Sequence, residues 1–93
     1  MSYTVKSGDL WECALYLTLG CKLLSIEPVN VNGHVSCQLT IEGENLAQLQ
    51  KQYFAGTMEV RIFDFRRVFG YLHSTVNKSK KKFRNILKNG GSI

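Results

Sequence analysis

The sequence predicts an α+β fold: an antiparallel β-hairpin, with a third short strand, covered on one face by three helices. Three observations predict it. From Val35 to Glu42, apolar Val35, Cys37, Leu39 and Ile41 alternate with polar Ser36, Gln38, Thr40 and Glu42. That is the two-residue period of a strand with one covered face. Asn32-Gly33, a pair suited to the positive φ of a tight turn, precedes it, and a second strand candidate, Lys22 to Glu27, lies before the turn. Finally, Ile62, Phe65, Phe69, Leu72 and Val76 are spaced three and four apart in alternation, the signature of one helix face.

Each element follows in order. Ser7-Gly8-Asp9 opens the first helix, where Ser7 or Asp9 can accept an unpaired backbone N–H, and Asp9 and Glu12 suit the positive end of the helix dipole. Leu10, Ala14 and Leu17 form one stripe, with Trp11, Leu15 and Thr18 beside it; Gly20 stops the helix. The first strand runs from Cys21 to Glu27, with Leu24 and Ile26 on one face. Pro28 ends it or marks an edge, because proline donates nothing to a ladder. Val29 to Gly33 then reads as a connection longer than a two-residue loop. A second helix covers about Glu44 to Phe54, with Leu46, Leu49, Tyr53 and Phe54 on one face and Gly56 as its stop. Thr57 to Arg61 reads as the short third strand. The last helix starts near Ile62. Its pattern weakens at Asn77 to Ser79 and resumes at Phe83, Ile86 and Leu87, so one helix to about residue 88 is expected. Leu10, Ala14, Leu17, Leu24, Ile26, Val35, Cys37, Leu39, Ile41, Leu46, Leu49, Val60, Phe65, Phe69 and Leu72 are the expected core.

Ninety-three residues suit one domain, and a 44% hydrophobic fraction argues against wholesale disorder. Residues 1–77 read as that domain, and 78–93 as a basic helical extension with a frayed tail. No apolar run reaches the roughly 20 residues of a membrane-spanning helix, and no secretory signal is visible, so a cytoplasmic protein is expected. Three cysteines, an odd number, fit a reducing compartment without disulfides. The net charge of +5 is unevenly placed. All seven acids precede residue 78, giving the first 77 residues −1, whereas the last 16 carry six basic residues and no acid, +6.

A local signature adds a resemblance. Leu17-Thr18-Leu19-Gly20-Cys21-Lys22-Leu23-Leu24-Ser25-Ile26-Glu27 resembles the L-x-x-G-[HC]-K-L-L-x-[IV]-E run of a small family of bacterial and phage proteins, known only as a domain of unknown function. Gln52-Tyr53-Phe54-Ala55-Gly56-Thr57-Met58-Glu59-Val60 looks like that family's step into its last helix. The resemblance covers residues 9 to 76. It implies a cytoplasmic α+β domain from phage or other mobile elements, and no reaction.

The residues themselves argue against most chemistry. Cys13, Cys21, Cys37, His34 and His73 lack the close pairs of a zinc site, and Cys37 reads as a buried hydrophobe, so no metal and no cofactor are expected. No nucleophile motif and no phosphate-binding Gly-rich loop appears, and no enzyme is expected. The basic C-terminus is the sharpest feature. Lys78, Lys80, Lys81, Lys82, Arg84 and Lys88, extended by Arg66 and Arg67, can track phosphates, and Phe83 can stack on a base. Nucleic acid is therefore the expected partner, bound without sequence specificity. The plain alternative is a solvated helix end with Phe83, Ile86 and Leu87 packed on the body. A second class of function is a protein-interaction module, a homodimer among its forms. Tyr16 and Tyr71 fall off the main stripes and would anchor such a partner if exposed together.

Overall fold

A computed structural model describes residues 3–88. Its elements are β1 (Tyr3–Ser7), α1 (Leu10–Thr18), β2 (Lys22–Val31), β3 (His34–Gly43), α2 (Leu46–Ala55) and α3 (Ile62–Lys88). The class is the expected α+β. The strand order is β1-β3-β2, with both pairs antiparallel. The alternating stretch is thus the central strand. It buries Cys37, Leu39 and Ile41 and leaves Ser36 and Gln38 exposed.

Two strand expectations change. The third strand is β1, ahead of the first helix, and not Thr57 to Arg61. Val5 sits opposite Ile41 and is buried, and the rest of β1 rests on the edge of β3. Residues 57–61 form an irregular connection, and the alternation of Met58 and Val60 reflects packing against the core. The hairpin is also tighter than expected. β2 continues through Pro28 to Val31, which pairs with His34, leaving only Asn32 (φ 52°) and Gly33 (φ 83°) as the loop. Two successive positive φ angles are what a type I′ turn requires, and Asn-Gly supplies them. Proline is tolerated because β2 is an edge strand.

The register of β2 shifts between Leu23 and Ser25, which pair with Ile41 and Thr40. Leu24 is the extra residue of this bulge. It is turned out and 51% exposed, while Leu23 and Ile26 pack on the core. This overturns the expectation that Leu24 is a core residue sharing the face of Ile26.

Asp9 caps α1: its carboxylate accepts from the backbone N–H groups of Trp11 (2.9 Å) and Glu12 (3.3 Å). The buried side of α1 is Glu12, Cys13, Ala14 and Tyr16, with Leu10, Leu15 and Leu17 only partly covered. Tyr16, expected at the margin, is fully buried and cannot join Tyr71 as an anchor. In α2, Leu46 is buried and Gly56 closes the helix at φ 74°, but Phe54 is turned to solvent.

α3 is one unbroken helix across Asn77. At 1.5 Å per residue its 27 residues span roughly 40 Å, close to the molecule's 45 Å long axis. Phe65, Leu72 and Val76 bury its inner side, and Trp11 meets Phe65 and Phe69 edge-on at 4.8 and 5.6 Å between ring centres. Ile62, expected on that stripe, is exposed. No described residue of α3 beyond Val76 is fully buried. Residues 78–88 therefore continue the core helix with little cover, and the tail expected to fray, 89–93, lies outside the described residues.

Candidate nucleic-acid interface

Helical repeat decides where the basic residues go. The inner row of α3 runs Phe65, Leu72, Val76 and on to Phe83, seven residues past Val76. Phe83 is accordingly half-buried, on the packed side. A ring on the inner row offers less face to a ligand than one on the outer side of the helix. Lys80 is also half-buried. It lies beside Cys37, where Lys80 and the Ser79 hydroxyl work against the burial that pushes the Cys37 thiol up.

The remaining cations point outward. Lys78, Lys81, Lys82 and Arg84 are exposed, as are Arg66 and Arg67. The side chain of Lys88 lies outside the described residues. Lys80, Lys81 and Lys82 step about 100° each around the axis, so they wrap the helix and do not form one stripe. Arg66 and Arg67 stand apart from the lysines. Ten uncharged residues, Val68 to Asn77, separate Arg67 from Lys78, roughly 17 Å along the axis. Arg66 and Arg84 share an azimuth, five turns apart. Arg67 pairs with Asp64 at 3.4 Å, an exposed ion pair worth little by itself.

The charge separation is sharper than the sequence tally. α3 carries eight basic residues against one acid, +7, and the rest of the chain four against six, −2. Dipole compensation at the helix C-terminus accounts for cations in its last turn, but not for Lys78 to Lys82.

A second polar group forms at the N-terminus of α1, where Ser7 or Asp9 was the expected cap and Asp9 and Glu12 the expected partners of the helix dipole. Glu12 is 6% exposed. Its Oε1 accepts from the Ser7 hydroxyl at 2.8 Å and its Oε2 from the Tyr16 hydroxyl at 2.6 Å. The Ser7 hydroxyl accepts from the Asp9 N–H at 3.1 Å, and Tyr53 donates to Asp9 Oδ2 at 3.0 Å. Burial pushes the Cys13 thiol up to about 11 and holds the Tyr16 phenol above its ordinary range, with Glu12 adding to both. These groups satisfy one another: among the described residues no buried side-chain polar atom lacks a partner. A thiol kept protonated under cover is not a nucleophile. The signal was the Glu12–Tyr16 spacing of four, which places both on one side of a helix.

Among the described residues no three His, Cys, Asp or Glu side chains gather as a metal site, and all three cysteines are free. A hollow of about 430 Å³ lies between Leu19, Gly20, Cys21, Gly43, Glu44, Asn45 and Leu49, away from α3. Comparison with family models, curated proteins and solved structures returns no match. The resemblance drawn above therefore stands on its quoted residues alone.

Proposed function

We propose that this chain is a small non-enzymatic accessory protein that binds nucleic acid without sequence specificity through the outward half of α3. The observation that carries the reading is the segregation of charge: +7 on one long helix, most of it on the outward side, and −2 on everything else. Such a surface attracts a polyanion, releases its counterions and lacks a means of reading bases. Its origin in a phage or mobile element and its work in the cytoplasm are part of the same proposal.

The test is fluorescence anisotropy with labelled duplex across a salt series. Six phosphate contacts give a slope of log K against log[salt] of about −5. Replacing exposed Lys78, Lys81, Lys82 and Arg84 together by glutamine should remove most of that slope and leave the fold intact. A slope near zero for the parent chain, or one unchanged in the variant, overturns the reading.

One observation favours the rival, a protein-interaction module. Trp11 and Ile62 are exposed beside Phe65 and Phe69, an apolar margin at the start of α3. Addition of a partner strand has less support: Pro28 and the bulge at Leu24 interrupt the β2 edge, and β1 is only five residues long. Sedimentation showing a stable dimer with no nucleic-acid binding would favour this rival.

A further inference from the structure

Three residues on the outer side of α3 are explained by neither packing nor charge alone. Phe63 is 78% exposed and Tyr71 67%. Among the described residues neither ring pairs with another aromatic ring. An exposed aromatic residue alone is ordinary. These two, however, flank Arg67 on one ridge: Phe63, Arg67 and Tyr71 stand at i, i+4 and i+8, neighbours on a helix surface. The ridge's own next members, Thr75, Ser79 and Phe83, are half-buried, whereas the neighbouring row carries Ser74, Lys78 and Lys82, all exposed.

The third residue is Gly70. Glycine is the poorest helix former after proline, yet it sits in mid-helix. A Cβ built there meets no atom within 4 Å, so close packing inside the protein does not demand it. Its neighbours at three and four residues' distance are Arg66, Arg67, His73 and Ser74, all exposed. The result is a stretch of bare backbone on the outer face, with Arg66 and Arg67 one turn before it, His73 and Ser74 one turn after it, and two free rings on the adjoining ridge. Glycine at such a place lets another molecule approach the backbone closely.

We infer that the N-terminal half of α3 is a stacking platform for single-stranded nucleic acid, with bases on Phe63 and Tyr71, the strand seated over Gly70, and Arg66, Arg67 and the lysines beyond holding its phosphates. The inference rests on the reading of α3 as a nucleic-acid face and adds the strand form it prefers. Aromatic rings interleaved with cations along one face suit unstacked bases, because every base has a face to stack. Paired bases in a duplex hide those faces. A second copy of this chain is a poorer occupant, since it would bring another basic helix against this one.

The test compares labelled oligo-dT, oligo-rU and a duplex of equal length on four proteins: the parent chain, Phe63→Ala/Tyr71→Ala, Gly70→Gln and the four-site glutamine variant. The expected result is tighter binding of the single strands by the parent. The double alanine variant should lose at least fivefold on single strands, more if both rings stack independently, with duplex affinity unchanged. Gly70→Gln should melt at a higher temperature yet bind single strands more weakly, which misfolding cannot produce. Equal affinity for all probes, lost only in the glutamine variant, overturns the platform and leaves the parent reading standing. Binding of no probe removes both. A parent dimer that Gly70→Gln converts to monomer, with nucleic-acid affinity unchanged, overturns the platform in favour of self-association.

Discussion

The N-terminus of α1 and the outward half of α3 are both crowded with ionisable and aromatic side chains, and they differ in whether those groups are answered. At α1, Ser7, Asp9, Glu12, Tyr16 and Tyr53 satisfy one another, with Glu12 and Tyr16 buried and Asp9 at the exposed end of the network. On α3, six cations are exposed, and only Arg67 has an acid within ion-pair distance among the described residues. The first arrangement spends its polarity on the fold, and the second leaves its polarity available to something outside. Residue type alone did not separate them, since Tyr16 and Tyr71 carry the same side chain to opposite ends of this contrast.

Four outcomes would break or sharpen the comparison. The largest is Tyr16→Ala. It opens a cavity and leaves Glu12 short of a donor, and should cost about 3–5 kcal/mol by urea denaturation, with the salt slope of nucleic-acid binding unchanged in the surviving folded fraction. Glu12→Ala comes next, at about 1–3 kcal/mol, because two hydroxyls lose their acceptor. A loss as small as that of a surface substitution would mean that the cluster is not holding α1.

Alkaline titration is third. Cys13 releases its proton near 9 in the unfolded chain and at about 11 when folded. The folded state binds the proton more tightly, so its contribution is complete below pH 9 and disappears as pH rises to 11. Unfolding free energies should fall across that window by up to about 1.4 kcal/mol per pH unit for one group. Tyr16, shifted in the same direction, extends the loss upward. Cys13→Ala should flatten the lower part of the curve, and an unaltered curve would assign the loss elsewhere. The smallest effect on stability is expected from the four-site glutamine variant on α3: an unchanged melting temperature beside a large loss of binding. A drop in melting temperature would show that those cations support the fold after all.

Much of the fold was legible, because period and turn chemistry are local. The alternation from Val35 to Glu42 marks a half-covered strand wherever it sits, and Asn32-Gly33 specifies its turn. β1 was not legible: five residues with one buried side chain, Val5, form a strand only because β3 has an edge to offer. The bulge at Leu24 was equally hidden, since one extra residue exchanges the two faces without altering composition. In the candidate site the charge excess was plain from the sequence, but its geometry was not. Phe83 drew attention because it stands among lysines, although its spacing from Phe65, Leu72 and Val76 already put it on the inner row. Phe63 and Gly70 attracted none, because an exposed ring and an unneeded glycine acquire meaning only when the burial of every neighbour is known.

The unequal division of charge also has a kinetic side. A body of −2 attached to a helix of +7 is an electric dipole as well as a net cation. If α3 is the nucleic-acid face proposed above, the field of a polyanion exerts a torque on this dipole and turns α3 toward the strand while the two are still separated by solvent. Fewer encounters then arrive in the wrong orientation. Moving two lysines from α3 to the outer face of the sheet would keep the net charge at +5 and still slow association. On that reading the arrangement of charge, beyond its amount, sets how quickly the partner is found.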